Sequence, residues 1–209
     1  MEITDRTAVY LKARRHLVRR DPVLKRVIAS VGPCTLKHMT DRFAVLVNSI
    51  ISQQISSKAA ISIRAKLESV LGGATAAKIL AASDETLRSA GLSTNKARSL
   101  RDLSEKVLTK VVPLATLHEH DDEEVIARLV EVRGIGRWTA QMFLIFSLGR
   151  LDVLPVDDLG LRVGVQRHFE LPEQPKKAEL TELAEPWRPY RSIATWYFWR
   201  SLGPVPQSK

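Results

Sequence analysis

Cysteine is nearly absent from this chain: Cys34 is the only one among 209 residues. A lone thiol cannot close an internal disulfide, and it cannot build a cysteine-rich zinc or iron–sulfur site. The five histidines show no metal-ligand spacing; His118 and His120, beside Asp121 and Asp122, come nearest. No run approaches the roughly 18 uninterrupted apolar residues that a membrane span requires. Acid and base precede any apolar run at the N-terminus, which argues against a secretory signal. Strand-length alternation is also lacking. Lys110–Leu114 comes closest, and Pro113 disqualifies it. Neither a fixed-period repeat nor a low-complexity tract occurs. These absences exclude a disulfide scaffold and a β-sandwich, and they predict a cytoplasmic protein with no membrane partner.

What is present is charge of one sign and helical periodicity. Lysine and arginine outnumber acids 32 to 23, giving a net charge of +9. Such an excess favours a polyanionic partner, nucleic acid first. Residues 4–19 place Ala8, Leu11, Ala13 and Leu17 among Arg14, Arg15, Arg19 and Arg20, an amphipathic helix with a basic face. Thr40-Asp41, Ser56-Ser57, Ser83, Ser93 and Asp121-Asp122 each precede an apolar-periodic segment as helix N-caps do. Gly72-Gly73, Gly91 and Pro113 stop three of these segments, and Pro172, Pro175 and Pro186 punctuate the tail. The fold class read from this pattern is all-α.

The segment Leu129-Val-Glu-Val132-Arg133-Gly134-Ile135-Gly136-Arg137-Trp138-Thr139-Ala140 joins two apolar-periodic stretches through Gly-Ile-Gly. Glycines allow positive φ and let a ligand approach the backbone without obstruction by Cβ. A helix starting near Gly136 would present amides without intrahelical partners, at the positive end of its dipole, to a phosphate oxygen. An ordinary αα-corner also uses such a turn, with Ile135 as its inward anchor.

Beyond it lie two carboxylates, Asp157 and Asp158. Helix geometry predicts Asp157 as the N-cap and sets Asp158 about 100° further round. Read alone, both acids suit a helix start. Aromatic residues are 6% of the chain, yet Trp187, Tyr190, Trp196, Tyr197, Phe198 and Trp199 crowd into positions 187–199. Trp196 and Trp199 share a helical face, and part of the cluster is expected to be core, mainly Trp187 and Trp196.

These residues resemble the helix-hairpin-helix superfamily of DNA glycosylases, and within it the monofunctional alkylbase type, DNA-3-methyladenine glycosylase II. Three further blocks carry the resemblance in family order: Ile50-Ile51-Ser52-Gln53-Gln54-Ile55-Ser56, Gly91-Leu92-Ser93-x-x-Lys96-Ala97, and Trp187-x-x-Tyr190-Arg191-Ser192-x-Ala194. The resemblance implies two helical lobes flanking a DNA-binding cleft. Residues 1–38 with 150–209 would form one lobe. Residues 39–149 would form the other and carry the hairpin at about 121–146. It implies Asp158 as the catalytic carboxylate, twenty residues after Trp138. Strand-cutting relatives carry a lysine where this chain has Trp138, and an indole cannot form their Schiff base. The N-terminal β-domain of some alkylbase glycosylases is not expected, since forty or so residues precede the first block.

Other roles are expected from the residues themselves and from the resemblance together. Trp138, Trp199 and Tyr197 are expected to line the base pocket, where each ring facing a cationic base gains about 0.5–2 kcal/mol. Gln54, with Gln53 as neighbour, is expected to fill the space left by an extruded base, although glutamines at a helix end are ordinarily solvated. Gly134, Ile135, Gly136, Arg137 and Thr139 would grip the DNA backbone, with Arg133 adding charge; Lys96 and Arg191 could do the same or equally be surface residues or ion-pair partners. Carbonyls of Val132 and Ile135 could hold a sodium or potassium ion; otherwise no cofactor is expected, and no iron–sulfur cluster. The expected partner is double-stranded DNA containing alkylated bases, bound by a monomer that is nucleoid-associated if prokaryotic. A strand-nicking glycosylase/lyase and a non-enzymatic hairpin module are the alternatives.

Overall fold

The computed structural model describes residues 6–203, and among them every regular element is helical. In chain order they are α1 (Thr7–Arg20), α2 (Pro22–Val31), α3 (Arg42–Ser52), α4 (Ser57–Leu71), α5 (Ala76–Ala81) and α6 (Asp84–Ser89). Then follow α7 (Thr94–Leu108), α8 (Asp122–Val130), α9 (Arg137–Phe143), α10 (Leu159–Phe169), α11 (Lys177–Leu183) and α12 (Arg191–Ser201). Short 3₁₀ turns lie at Leu117–Glu119 and Glu185–Trp187, and a π-helical turn, Leu144–Leu148, extends α9. Contacts divide the chain into two units: one runs through His38 and resumes at Gly149, the other is Met39–Leu148.

In the continuous unit, α3, α5 and α6 pack on α7, α4 packs on α3, and the hairpin α8–α9 closes against α3. Leu46, Ile50, Leu67, Ile79, Leu100, Leu103, Leu129 and Phe143 are enclosed there. Each N-cap follows from the sequence: Asp41, Ser56, Ser83, Ser93 and Asp121 accept the amide three residues on. A cap contributes about 1 kcal/mol, whereas each enclosed Leu or Phe contributes about 1.5–3 kcal/mol. Packing therefore holds these helices, and the caps decide where they begin.

In the discontinuous unit, α2 and α10 pack on α12, and α1 packs on α2 and α12. Leu17, Leu24, Ile28, Val165, Trp187 and Phe198 form its centre. The sequence pattern above does not single out α2, yet Asp21-Pro22 is a start signal: Asp21 accepts the amides of Val23 (2.7 Å) and Leu24 (3.0 Å), and proline takes the first helical position. The remaining oxygen of Asp21 accepts the indole N–H of Trp187 at 2.6 Å. That bond ties α2 to the aromatic block of the tail.

Candidate active site and nucleic-acid interface

The discontinuous unit carries the two acids. A turn with the Asp158 amide donating to the Pro155 carbonyl (2.9 Å) delays the helix by one residue, so Asp158 and not Asp157 caps α10. This corrects the expected assignment. Asp157 is exposed and pairs with Lys177 at 2.6 Å. Asp158 is 7% exposed, and its Oδ1 accepts two donors: the Leu161 amide at 2.7 Å and the Trp199 indole N–H at 2.7 Å. Charge-assisted bonds of this length are the strong kind. They fix the carboxylate at the positive end of a helix while leaving Trp199 partly exposed.

Gly160 makes this pairing possible, and sequence reasoning missed it. A Cβ there would lie 2.9 Å from Cδ1 of Trp199 and 3.2 Å from Oδ1 of Asp158. Only a residue without a side chain lets the indole reach the carboxylate. Gly164, one turn on, repeats the close approach against Phe198.

Tyr197 is a second correction. Its ring is fully buried, its hydroxyl donates to the Gly32 carbonyl at 3.1 Å, and burial pushes its pKa up to about 12. An enclosed ring bonded to α2's end is a core residue, not a pocket wall. Trp187 is fully buried and Trp196 packs edge-on against Tyr197. Arg191 is committed to Asp152, with Nε 2.8 Å from its Oδ1.

The hairpin lies in the continuous unit. Ile135 is buried, and its amide donates to the Val132 carbonyl at 3.0 Å, closing the turn. Of the two glycines only Gly134 has positive φ (+80°), and a Cβ there would meet Ser99 Oγ at 2.9 Å. Gly136 is extended (φ −97°, ψ 175°), caps α9, and has open space where a Cβ would stand. Thr139 is buried, whereas Trp138 is 45% exposed on the first turn of α9. Arg137 is bound to Glu123, whose carboxyl it holds below the usual range. The Arg133 side chain is exposed, and its backbone amide donates to Asp102 at 2.7 Å.

A second turn follows α3. Gln53 donates its amide to the Gly134 carbonyl at 2.8 Å, which welds this turn to the hairpin. Gln54 is exposed in the left-handed region (φ +57°), the tip of the turn. Lys96 donates to the Ile51 carbonyl at 2.6 Å, satisfying the end of α3, and partial desolvation lowers its pKa. Gln53, Gln54, Asn95, Lys96, Arg133 and Gly134 are among the residues lining a depression of about 410 Å³. Among the described residues no cluster of three histidine, cysteine or acidic side chains could hold a metal.

The continuous unit thus carries a glycine turn tied to the Gln54 tip, and the discontinuous unit a buried carboxylate fixed by an indole. The chain belongs to the HhH-GPD superfamily of base excision DNA repair proteins, whose family model matches residues 47–189. It is 35% identical to DNA-3-methyladenine glycosylase 1 of Schizosaccharomyces pombe, covering 91% of this chain and 86% of that protein. It is 32% identical to the same organism's alkylbase DNA glycosidase-like protein mag2, covering 91% and 93%. The solved structure of the S. pombe 3-methyladenine DNA glycosylase in complex with abasic DNA superposes with a TM-score of 0.80 at 35% identity, over 90% of this chain and 95% of that one.

Proposed function

We propose that this chain is a monofunctional DNA glycosylase that hydrolyses the N-glycosidic bond of alkylated bases, of the 3-methyladenine and 7-methylguanine class, and leaves an abasic site. The observation that carries the reading is the Asp158 carboxylate, fixed by two donors on one oxygen. Breaking the bond to the base leaves positive charge on the sugar, and a pre-positioned carboxylate stabilises that charge without reorganising. The same group orients or deprotonates the attacking water. A methylated purine that is already cationic leaves without an acid to protonate it, so one carboxylate suffices.

The target base must leave the stack, at a cost of a few kcal/mol. Gln54, exposed at its tip, fills the vacated space, and Gln53 holds that tip to Gly134. Amides after Gly136 and the exposed Arg133 take the phosphates. Trp199, bonded to Asp158, stacks on the extruded base, and its face favours a cationic ring over a neutral one. The Val132 carbonyl keeps a second lone pair beyond the Ile135 amide, and with the Ile135 carbonyl it forms an oxygen donor set suited to a sodium or potassium ion beside the phosphate. The protein works as a monomer where duplex DNA is found. Trp138 has no amine for a Schiff base, so strand cleavage does not run through this position.

The test is Asp158→Asn. Asparagine caps helices about as well as aspartate, so folding is retained while the charge is lost. Base release from alkylated duplex should fall by on the order of 10²–10⁴-fold with duplex affinity unchanged. Retained excision would refute the mechanism.

A further inference from the structure

The hairpin that grips DNA in this reading is not where the positive charge resides. Residues 121–143 hold five acids (Asp121, Asp122, Glu123, Glu124, Glu131) against Arg128, Arg133 and Arg137, a net of −2. Arg128 and Arg137 are moreover bound to Glu124 and Glu123. The hairpin offers amides, not a long-range field.

The charge is concentrated on α1 and α2. Residues 7–31 hold seven lysines and arginines against a single acid, a net of +6 within a chain total of +9. That acid, Asp21, is buried and committed to two amides and the Trp187 indole. Tyr10, Ala13 and Leu17 face inward, so Lys12, Arg15 and Arg19, at helical spacing, form one exposed stripe along α1. Arg20, Lys25 and Arg26 are exposed beside it. Among the described residues none of these six is paired with a carboxylate.

Folding does not account for this arrangement. Arg19 and Arg20 lie in the last turn of α1, where cations complement the helix dipole. Lys12, Arg15, Lys25 and Arg26 have no such reason, and like charges one turn apart destabilise a helix. A polyanion would relieve that repulsion. We infer that the exposed face of α1 and α2 is a further duplex-DNA surface, made of residues other than the hairpin's and touching phosphates without reading bases. It goes beyond the excision reading and rests on charge placement, not on Asp158.

The experiment measures binding of the full chain to undamaged duplex from about 50 to 200 mM salt by fluorescence anisotropy. One variant is Lys12→Gln/Arg15→Gln/Arg19→Gln/Arg20→Gln. The other, Lys12→Gln/Arg15→Gln/Lys25→Gln/Arg26→Gln, spares the dipole pair. Both should weaken binding and flatten the log–log salt slope by about 0.9 for each phosphate that is no longer neutralised. The single-turnover excision rate at saturating enzyme should stay at its wild-type value. Wild-type slope and affinity in both variants would overturn the inference. So would variants that keep duplex binding but lose binding to polyglutamate, which would mark the face as a protein-docking one. A chain that shows the flattened slopes but no excision activity would sink the glycosylase reading and leave this one standing.

Discussion

Replacing Gly160 by alanine would put a methyl group into the space that the Trp199 indole crosses to reach Asp158. The added Cβ would sit 2.9 Å from the ring and 3.2 Å from both bonded atoms, Trp199 Nε1 and Asp158 Oδ1. In an open helix alanine would gain about 0.5–1 kcal/mol over glycine. Here overpacking costs about 1–3 kcal/mol, and a hydrogen bond to a charged group, worth about 1.5–3 kcal/mol, is broken as well. The losses win, so the melting temperature should fall despite the better helix former. If the indole holds the carboxylate against the sugar in the transition state, 1.5–3 kcal/mol translates into a roughly 10- to 150-fold slower single-turnover release of 7-methylguanine from alkylated duplex. Trp199→Phe removes the donor without adding bulk and should cost about as much. The double variant should lose little more than either single one, because both act through one hydrogen bond. Wild-type excision by Gly160→Ala would refute the claim that this hydrogen bond positions Asp158.

The two hairpin glycines should separate folding from binding. Gly134→Ala forces positive φ on a residue with a Cβ, at about 1–2 kcal/mol, and should lower the melting temperature by roughly 2–8 °C. Gly136→Ala meets open space in the protein, so it should melt like wild type while losing duplex affinity; unchanged affinity would mean that no backbone phosphate approaches there. Burial pushes the Cys34 thiol from 9.0 up to about 11. Its stabilising contribution is therefore complete below pH 9 and is lost as the pH rises toward 11. Native protein should resist iodoacetamide at pH 9, where an ordinary thiol is half ionised, and label fully only near pH 11; rapid labelling at pH 9 would contradict that environment.

The helical class was legible because five N-caps and the apolar periodicity behind them agree, and local signals of that kind need no tertiary knowledge. The family resemblance was legible because its blocks are contiguous in sequence. Other features depended on what lies across space. Which acid caps α10 was decided by a four-residue turn at Pro155, and counting angles from an assumed start put it one residue early. Tyr197 was misplaced because residues 192–198 are all buried, Ser192 and Thr195 included; a helix enclosed on every side offers no apolar stripe from which to choose a face. Gly160 carried no signal at all until α12 was laid across it. The Asp21-Pro22 start of α2, by contrast, is a local signal that the sequence does display.

The bond between Asp21 and Trp187 also has a bearing on biogenesis. The two residues are 166 positions apart, and at about 5–20 residues per second a ribosome needs on the order of ten to thirty seconds to travel between them. Met39–Leu148 is uninterrupted and can condense meanwhile, whereas α1 and α2 emerge with Leu17, Leu24 and Ile28 uncovered and wait for a mate synthesised after that segment. Nascent chains should therefore protect the nested middle segment from protease well before the helices that flank it, and early termination should leave α1 and α2 as a sticky, cation-rich segment that calls on chaperones.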